Sequence, residues 1–105
     1  EFLIDDLKST ENRMKSMIHN DVIIRIGMII IMLIDSYGYD GATPKKLRYT
    51  MSRTDMASMA GTSYESVIRN LSKLEDMKII KIIGKSIMVL KEKELRKFIN
   101  IKSRF

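Results

Sequence analysis

The chain has 105 residues and a formal net charge of +6, with 45% hydrophobic residues, nine methionines and no cysteine. This length bounds the fold to one small domain with at most an appended helix. The lack of cysteine excludes a disulfide, a thiolate nucleophile and a cysteine-ligated metal cluster within the chain. We interpret the methionines as core packing rather than redox chemistry.

Charge is unevenly distributed along the chain. Residues 1–40 carry four lysines or arginines against seven acidic residues, which gives −3, whereas residues 41–105 carry +9. The basic part favours a polyanionic partner, with a solvated basic surface as the alternative. A membrane span is not expected, because the longest apolar stretch, 22–34, contains Arg25 and is shorter than the ~20 residues a bilayer requires. The acidic segment before it is also unlike a secretion signal, so we expect a cytoplasmic protein.

The first predicted element is a helix over residues 1–19. Its apolar side chains recur at alternating spacings of four and three, which is the pattern of a coiled-coil seam with one polar position. The seam consists of Leu3, Leu7, Thr10, Met14 and Met17. We expect this seam to pair with a second copy of the chain; packing on its own domain is the alternative. His19 lacks the companions of a metal site. Because the chain begins with Glu1 rather than methionine, we expect it to be part of a longer protein.

A second helix is predicted over residues 21–36, with Asp21 as its N-cap and an end near Gly38. It is apolar almost all round, so we expect it to be buried between other elements. Its β-branched residues make a strand the competing interpretation, and its length favours the helix. Residues 37–51 contain two glycines and the only proline, which indicates a loop, with a possible short strand at Leu47–Met51.

Two short helices are predicted next, over 52–60 and about 63–76. Ser52 with Asp55, and Thr62 with Glu65, have capping-box spacing, and Gly61 separates the helices. The second helix has an apolar inner face and a largely polar outer face. The inner face consists of Val67, Leu71 and Leu74, and the outer face of Tyr64, Glu65, Ile68, Arg69 and Ser72.

A hairpin of strands Ile79–Ile83 and Ser86–Leu90 and a last helix over 92–101 complete the predicted elements. The predicted fold class is therefore mainly α with a small β wing (α+β): a winged helix-turn-helix preceded by a dimerisation-type helix. In such a fold, Glu65 and Arg69 lie one turn apart on the helix that enters the DNA major groove, where they can read base edges. An ordinary surface ion pair between them is the alternative.

Residues 52–90 resemble the C-terminal DNA-binding domain of the Crp/Fnr family of bacterial transcription regulators. The string SRTDMASMAGTSYESVIRNLSKLE, followed by IIGKSIMV, is similar to the family's ordered pattern of an arginine before the first helix, a glycine turn, a glutamate and an arginine on the second helix, and Gly-Lys in the wing. The preceding residues fit as well, so the resemblance covers nearly the whole chain. It implies that residues 1–19 are the end of a dimerisation helix and residues 20–105 the winged helix-turn-helix domain.

The resemblance also implies roles for individual residues. Base reading falls to Glu65 and Arg69, because arginine can donate two bonds to guanine while glutamate accepts from the paired cytosine. Tyr64 and Ile68 differ from well-known members, and we expect Tyr64 to stack on the sugar-phosphate backbone and Ile68 to touch a thymine methyl group. The implied phosphate contacts are Ser52, Arg53, Thr54, Ser63, Ser66 and Lys85. For the serines, simple helix capping is the alternative, and for the lysine a solvated turn.

The predicted function is sequence-specific binding of double-stranded DNA by a homodimeric transcription regulator, with RNA polymerase as a further partner and no catalysis. No cofactor or metal site is predicted in this chain, and the effector of the family's N-terminal sensor domain is left open. The first alternative is a winged-helix protein–protein interaction module without base-specific readout. The second is an enzyme, which is disfavoured because no nucleophile–base pair, metal cluster or phosphate loop is visible.

Overall fold

The computed structural model describes residues 21–103, and their side chains as far as residue 100. The elements are α1 (Val22–Tyr37), α2 (Arg53–Ala60), α3 (Tyr64–Asp76), β1 (Ile80–Ile83), β2 (Ser86–Val89) and α4 (Glu92–Ser103). Four helices and one two-stranded antiparallel sheet confirm the predicted fold class, and the boundaries agree with the prediction within two residues. The predicted helix over 1–19, with its seam and His19, lies outside the described residues.

Helix α1 is the centre of the domain and packs against all three other helices. It begins after Asp21, whose carbonyl accepts from the Ile24 and Arg25 N–H groups, although its carboxylate makes no capping bond. It ends before Gly38, whose N–H donates to the Ile34 carbonyl. Helix α1 is buried between other elements as expected, although Met32 is 37% exposed.

Two close contacts position α2 and α4 against α1. The Arg25 guanidinium donates from Nε to the carbonyl of Ala60, the last residue of α2, at 2.7 Å. Gly27 lies where α4 crosses α1: a Cβ at this position would overlap the side chain of Ile99 and lie 3.5 Å from Leu95 Cδ1. Glycine thus lets the backbones of α1 and α4 approach each other more closely than any larger residue would allow.

Helices α2 and α3 form the helix-turn-helix. The Ser52 hydroxyl accepts from the Asp55 N–H at 3.0 Å, as its spacing predicted. The N-cap of α3 is Ser63, whose hydroxyl accepts from the Ser66 N–H at 3.1 Å, and not Thr62 as the predicted capping box would require. Between the helices Gly61 adopts a left-handed conformation with φ 68°, a backbone geometry that glycine adopts without steric cost.

The wing is the hairpin of β1 and β2, paired from Ile80 opposite Val89 to Ile83 opposite Ser86. Its outer strand is joined to the preceding loop, because the Leu47 N–H donates to the Ile87 carbonyl at 2.9 Å. The predicted strand over Leu47–Met51 is wrong beyond its first residue. Pairing is limited to isolated bridges at Tyr39–Leu47 and Lys46–Met88, after which the chain leaves the sheet toward α2.

Helix α4 packs on α1, with Leu95 and Ile99 buried. A polar network ties it to α1 and to the loop. Arg96 donates to Asp35 at 2.6 Å and to Glu92 at 2.9 Å, and the Tyr39 hydroxyl donates to Glu92 at 2.7 Å. Nineteen buried apolar residues, drawn from every helix and both strands, form one core. Within residues 21–103, no helix is long and apolar enough to cross a membrane.

Candidate nucleic-acid interface

Helix α3 separates an inner face from an outer face as predicted. Val67, Leu71 and Leu74 are buried in the core. The outer face consists of Tyr64, Glu65, Ile68, Arg69 and Ser72, all of them exposed. Ile68 is 40% and Tyr64 51% exposed, so both large side chains are accessible to a partner.

Glu65 and Arg69 lie on one stripe of this outer face, one turn apart. They do not form the surface ion pair that was the alternative interpretation: the ion pairs among the described residues join Lys46 to Asp40 and Arg96 to both Asp35 and Glu92. No described side chain forms an ion pair with the Arg69 guanidinium. Its five N–H donors are therefore open to a planar acceptor such as a base edge.

A groove of about 620 Å³ lies beside this stripe, between α3, the start of α2 and the wing. It is lined by residues from all three elements. Six of the predicted site residues line it: Ser52, Arg53, Thr54, Tyr64, Ile68 and Lys85. These residues span more than thirty positions of sequence, and only the fold brings them to one surface.

The start of α2 offers the groove both charge and free N–H groups. Arg53 is half-buried, and this burial lowers the pKa of its guanidinium from the ordinary value, while Tyr64 opposes the shift. An arginine stays protonated at neutral pH despite such a shift. Among the described residues no carboxylate pairs with Arg53, and the first N–H groups of a helix lack partners within it. A partly desolvated cation beside free N–H groups favours binding of an anion such as phosphate.

The serine hydroxyls are placed differently from one another. Ser52 and Ser63 are exposed, and each already accepts one capping bond. Ser66 is only 8% exposed, and its hydroxyl accepts from the Asn70 side chain at 3.3 Å. The structure thus places Ser66 inside the domain, apart from the groove, and its predicted phosphate contact stays a prediction.

Two features of the interface were not predicted. Thr50 also lines the groove, which its position in the sequence does not indicate, and Ser72 from the predicted outer face of α3 lines it as well. Glu75, in the last turn of α3, accepts from the Ile82 N–H in β1 at 2.9 Å. A glutamate at a helix end ordinarily suggests a solvated charge, so no pattern points to this bond. Within residues 21–103, no three histidine, aspartate or glutamate side chains come together as a metal site.

A family model described as a Crp-like helix-turn-helix domain matches residues 24–98. Similar curated proteins include the fumarate and nitrate reduction regulatory protein of Vibrio cholerae, 28% identical over 71 residues. Electron transport regulator A of Shewanella oneidensis is 30% identical over 71 residues. Each alignment covers 68% of this chain but 28% of the relative, so the chain spans little more than a quarter of these proteins.

Solved structures share the fold. FixK2 from Bradyrhizobium japonicum superposes with a TM-score of 0.65 at 22% identity, covering 83% of this chain and 42% of FixK2. The catabolite activator protein of Thermus thermophilus has a TM-score of 0.62 at 17% identity, covering 77% of this chain and 35% of that protein. A CooA variant from Carboxydothermus hydrogenoformans has a TM-score of 0.68 at 18% identity, covering 81% and 41%. At these identities the likeness establishes the fold alone.

Proposed function

Because this chain belongs to the Crp-like helix-turn-helix domain family, we propose that it is the sequence-reading part of a transcription regulator and binds double-stranded DNA through α3. The predicted family resemblance is confirmed by the match over residues 24–98. The curated relatives are named as regulators and not as enzymes. DNA binding follows from the family; the groove and residues that would carry it are our proposal.

The observation that carries the proposal is the exposed stripe of Glu65 and Arg69 beside the groove. In the DNA major groove, Arg69 would donate two bonds to guanine O6 and N7, and Glu65 would accept from the N4 amino group of the paired cytosine. Neither side chain has an ion-pair partner in the described domain. Both are therefore hydrated until DNA binds, when hydrogen bonds to the base edges replace those to water.

The groove supports a second set of contacts, to the DNA backbone. Arg53 at the start of α2 and Lys85 at the turn of the wing both line it and supply positive charge, and the free N–H groups at the start of α2 supply directed donors. Ile68 and Tyr64 would lie between these contacts and the bases, where Ile68 can touch a thymine methyl group and Tyr64 a sugar. Phosphate contacts of this kind orient the domain, while Arg69 and Glu65 select the sequence.

We further propose that two copies act together through the seam formed by Leu3, Leu7, Met14 and Met17. A homodimer presents two recognition helices to half-sites about one turn of DNA apart, so its operator is a palindrome. RNA polymerase as a partner stays a prediction from the family resemblance.

Selection of duplexes from a random library by the purified chain tests the proposal. We expect enrichment of a palindrome whose half-sites carry a T-G-A-like core, with binding that falls steeply as salt rises. Absence of any enriched sequence, with binding indifferent to salt, would instead favour the protein-interaction module.

A further inference from the structure

The wing and the recognition helix are joined by one side chain. Glu75 reaches from the last turn of α3 to β1, where its Oε2 accepts from the Ile82 N–H at 2.9 Å. This N–H points away from β2: the Leu90 N–H donates to the Ile79 carbonyl, and in an antiparallel ladder the groups of alternate residues point outward. The carboxylate of α3 thus occupies a donor on the free edge of the wing.

The base of the hairpin is anchored in the core by Ile80, Ile87 and Val89, whereas Ile83 next to the turn is 50% exposed. A two-stranded hairpin is only marginally stable by itself, so the orientation of its outer part also depends on the hydrogen bonds along its edges. On the β2 side, the Leu47 N–H donates to Ile87 and the Val89 N–H donates to Lys45. On the β1 side, the Ile82 N–H donates to the Glu75 carboxylate, which is the side-chain hydrogen bond described for this edge. Lys78, in a left-handed conformation with φ 65°, makes the turn between α3 and β1.

This bond sets the distance between the wing and helix α3, on which the proposed DNA contacts depend. Ile82 lines the groove, and Lys85 lies three residues further on, at the turn of the wing. Arg69 lies on the same helix as Glu75, six residues earlier, which is about 9 Å along the axis at 1.5 Å per residue. Glu75 therefore connects the base-reading stripe to the cation at the wing tip through a single rigid helix.

We propose that Glu75 is a positioning residue for DNA binding: its carboxylate holds the wing so that Lys85 meets a backbone phosphate while Arg69 reads its base pair. The inference rests on the proposed function. Glu75 touches no DNA in this scheme. Its negative charge, which by itself would repel phosphate, is directed at the Ile82 N–H instead.

Two charge-matched pairs of proteins test this role. Glu75→Ala and Glu75→Gln lose the same charge, but the glutamine retains an oxygen that can accept from Ile82. Wild type and Glu75→Asp have the same charge, but the aspartate is one methylene shorter. The measurement is the salt dependence of binding to a fixed duplex, alone and combined with Lys85→Ala, with hydrogen exchange of the Ile82 amide reporting the bond directly.

We expect Lys85→Ala to reduce the slope of log affinity against log salt by about 1 per subunit. Glu75→Ala and Glu75→Asp should produce a similar reduction and faster exchange at Ile82, whereas Glu75→Gln should keep both near wild type. Combining Glu75→Ala with Lys85→Ala should reduce the slope no further, because a misplaced wing already lacks its phosphate contact.

Equal slopes for Glu75→Ala and Glu75→Gln, or additive effects of Glu75→Ala and Lys85→Ala, would overturn the positioning role. The proposed function fails separately: in that case wild type itself shows no salt-dependent duplex binding, and Arg69→Ala changes nothing.

Discussion

Charged side chains form ion pairs in one region of this domain and lack described ion-pair partners in another. At the junction of α1 and α4, Arg96 contacts both Asp35 and Glu92, and Glu92 also accepts from Tyr39. On the outer face of α3, Glu65 and Arg69 are one turn apart and have no ion pair with each other or with another described residue. The first arrangement satisfies its charges within the chain. The second leaves them exposed to solvent, as the proposed contact with DNA requires.

At the α1–α4 junction the pKa shifts reflect these contacts. The hydrogen bond from Tyr39, followed by the bond from Arg96, holds the pKa of Glu92 below its ordinary value. Burial, followed by the bond to Glu92, raises the pKa of Tyr39, and the bonds to Asp35 and Glu92 raise the pKa of Arg96. Substitutions at the α1–α4 junction should therefore change stability, and substitutions on the α3 face should change DNA binding.

The largest expected effect tests whether the α3 face of a single copy is sufficient for operator binding. Changing Leu7 and Met14 together to lysine should separate the two copies of the chain. Linked half-site binding exceeds single-site binding by about 10²–10⁴-fold, so operator affinity should fall by that order while the domain stays folded. Gel-shift titration on a palindrome and on a single half-site measures the difference. Equal affinities for the wild-type chain on both duplexes would count against the seam.

Arg69→Ala should cost about 1–3 kcal/mol of binding on the preferred site and relax the choice at one base pair, with little change in the free energy of unfolding. Arg69→Lys provides the matched control, since it retains the charge but not the planar pair of donors. The lysine variant should keep the salt slope of wild type and lose the base preference. If both variants keep the preference, Arg69 is not the base-reading residue.

Arg96→Ala should produce the reverse pattern. It removes two partly exposed ion pairs, which together are worth about 0.5–1 kcal/mol of unfolding free energy by the usual scale of such pairs. DNA affinity should stay the same, because the α1–α4 junction lies away from the groove. Urea unfolding and duplex titration check the two halves of this statement. Lys97→Ala, an exposed neighbour without a described ion pair, is the control.

The smallest effect concerns pH. Because the folded state lowers the pKa of Glu92, its contribution to stability is fully present above the ordinary value of 4.5 and is lost as the pH falls through the lower folded value. Glu92→Gln removes this titration. The difference in unfolding free energy between wild type and Glu92→Gln should therefore shrink as the pH is lowered below 4.5. A difference that grows on acidification would show that the bond to Tyr39 does not stabilise the ionised form.

The comparison also separates what the sequence could predict from what it could not. The outer face of α3 follows from periodicity, because Val67, Leu71 and Leu74 mark the opposite side. The α1–α4 junction has no such signal, since its bonds join residues 53 and 61 positions apart. Patterns of a few residues carry no information on such pairs.

Local ambiguities explain the remaining differences. Thr62 and Ser63 are both good N-caps one residue apart, and only the backbone geometry selects Ser63. The β-propensity of Leu47–Met51 is real, but pairing extends only as far as the partners continue beside it, and here it is limited to the bridges Tyr39–Leu47 and Lys46–Met88. The groove could not be predicted for a similar reason. No single lining residue has a distinctive sequence signal, and the groove forms only where three elements meet.

The contact of Gly27 with Ile99 has a consequence for how the chain folds during synthesis. The last described helix covers the surface of α1 around Gly27, so this surface stays open until Ile99 has left the ribosome, even after α2 and α3 have been made. Roughly seventy residues separate the two positions, which at about 5–20 residues per second takes roughly 4–14 s. For those seconds the nascent chain exposes the apolar surface of α1 that α4 later covers, and we expect chaperones to bind there.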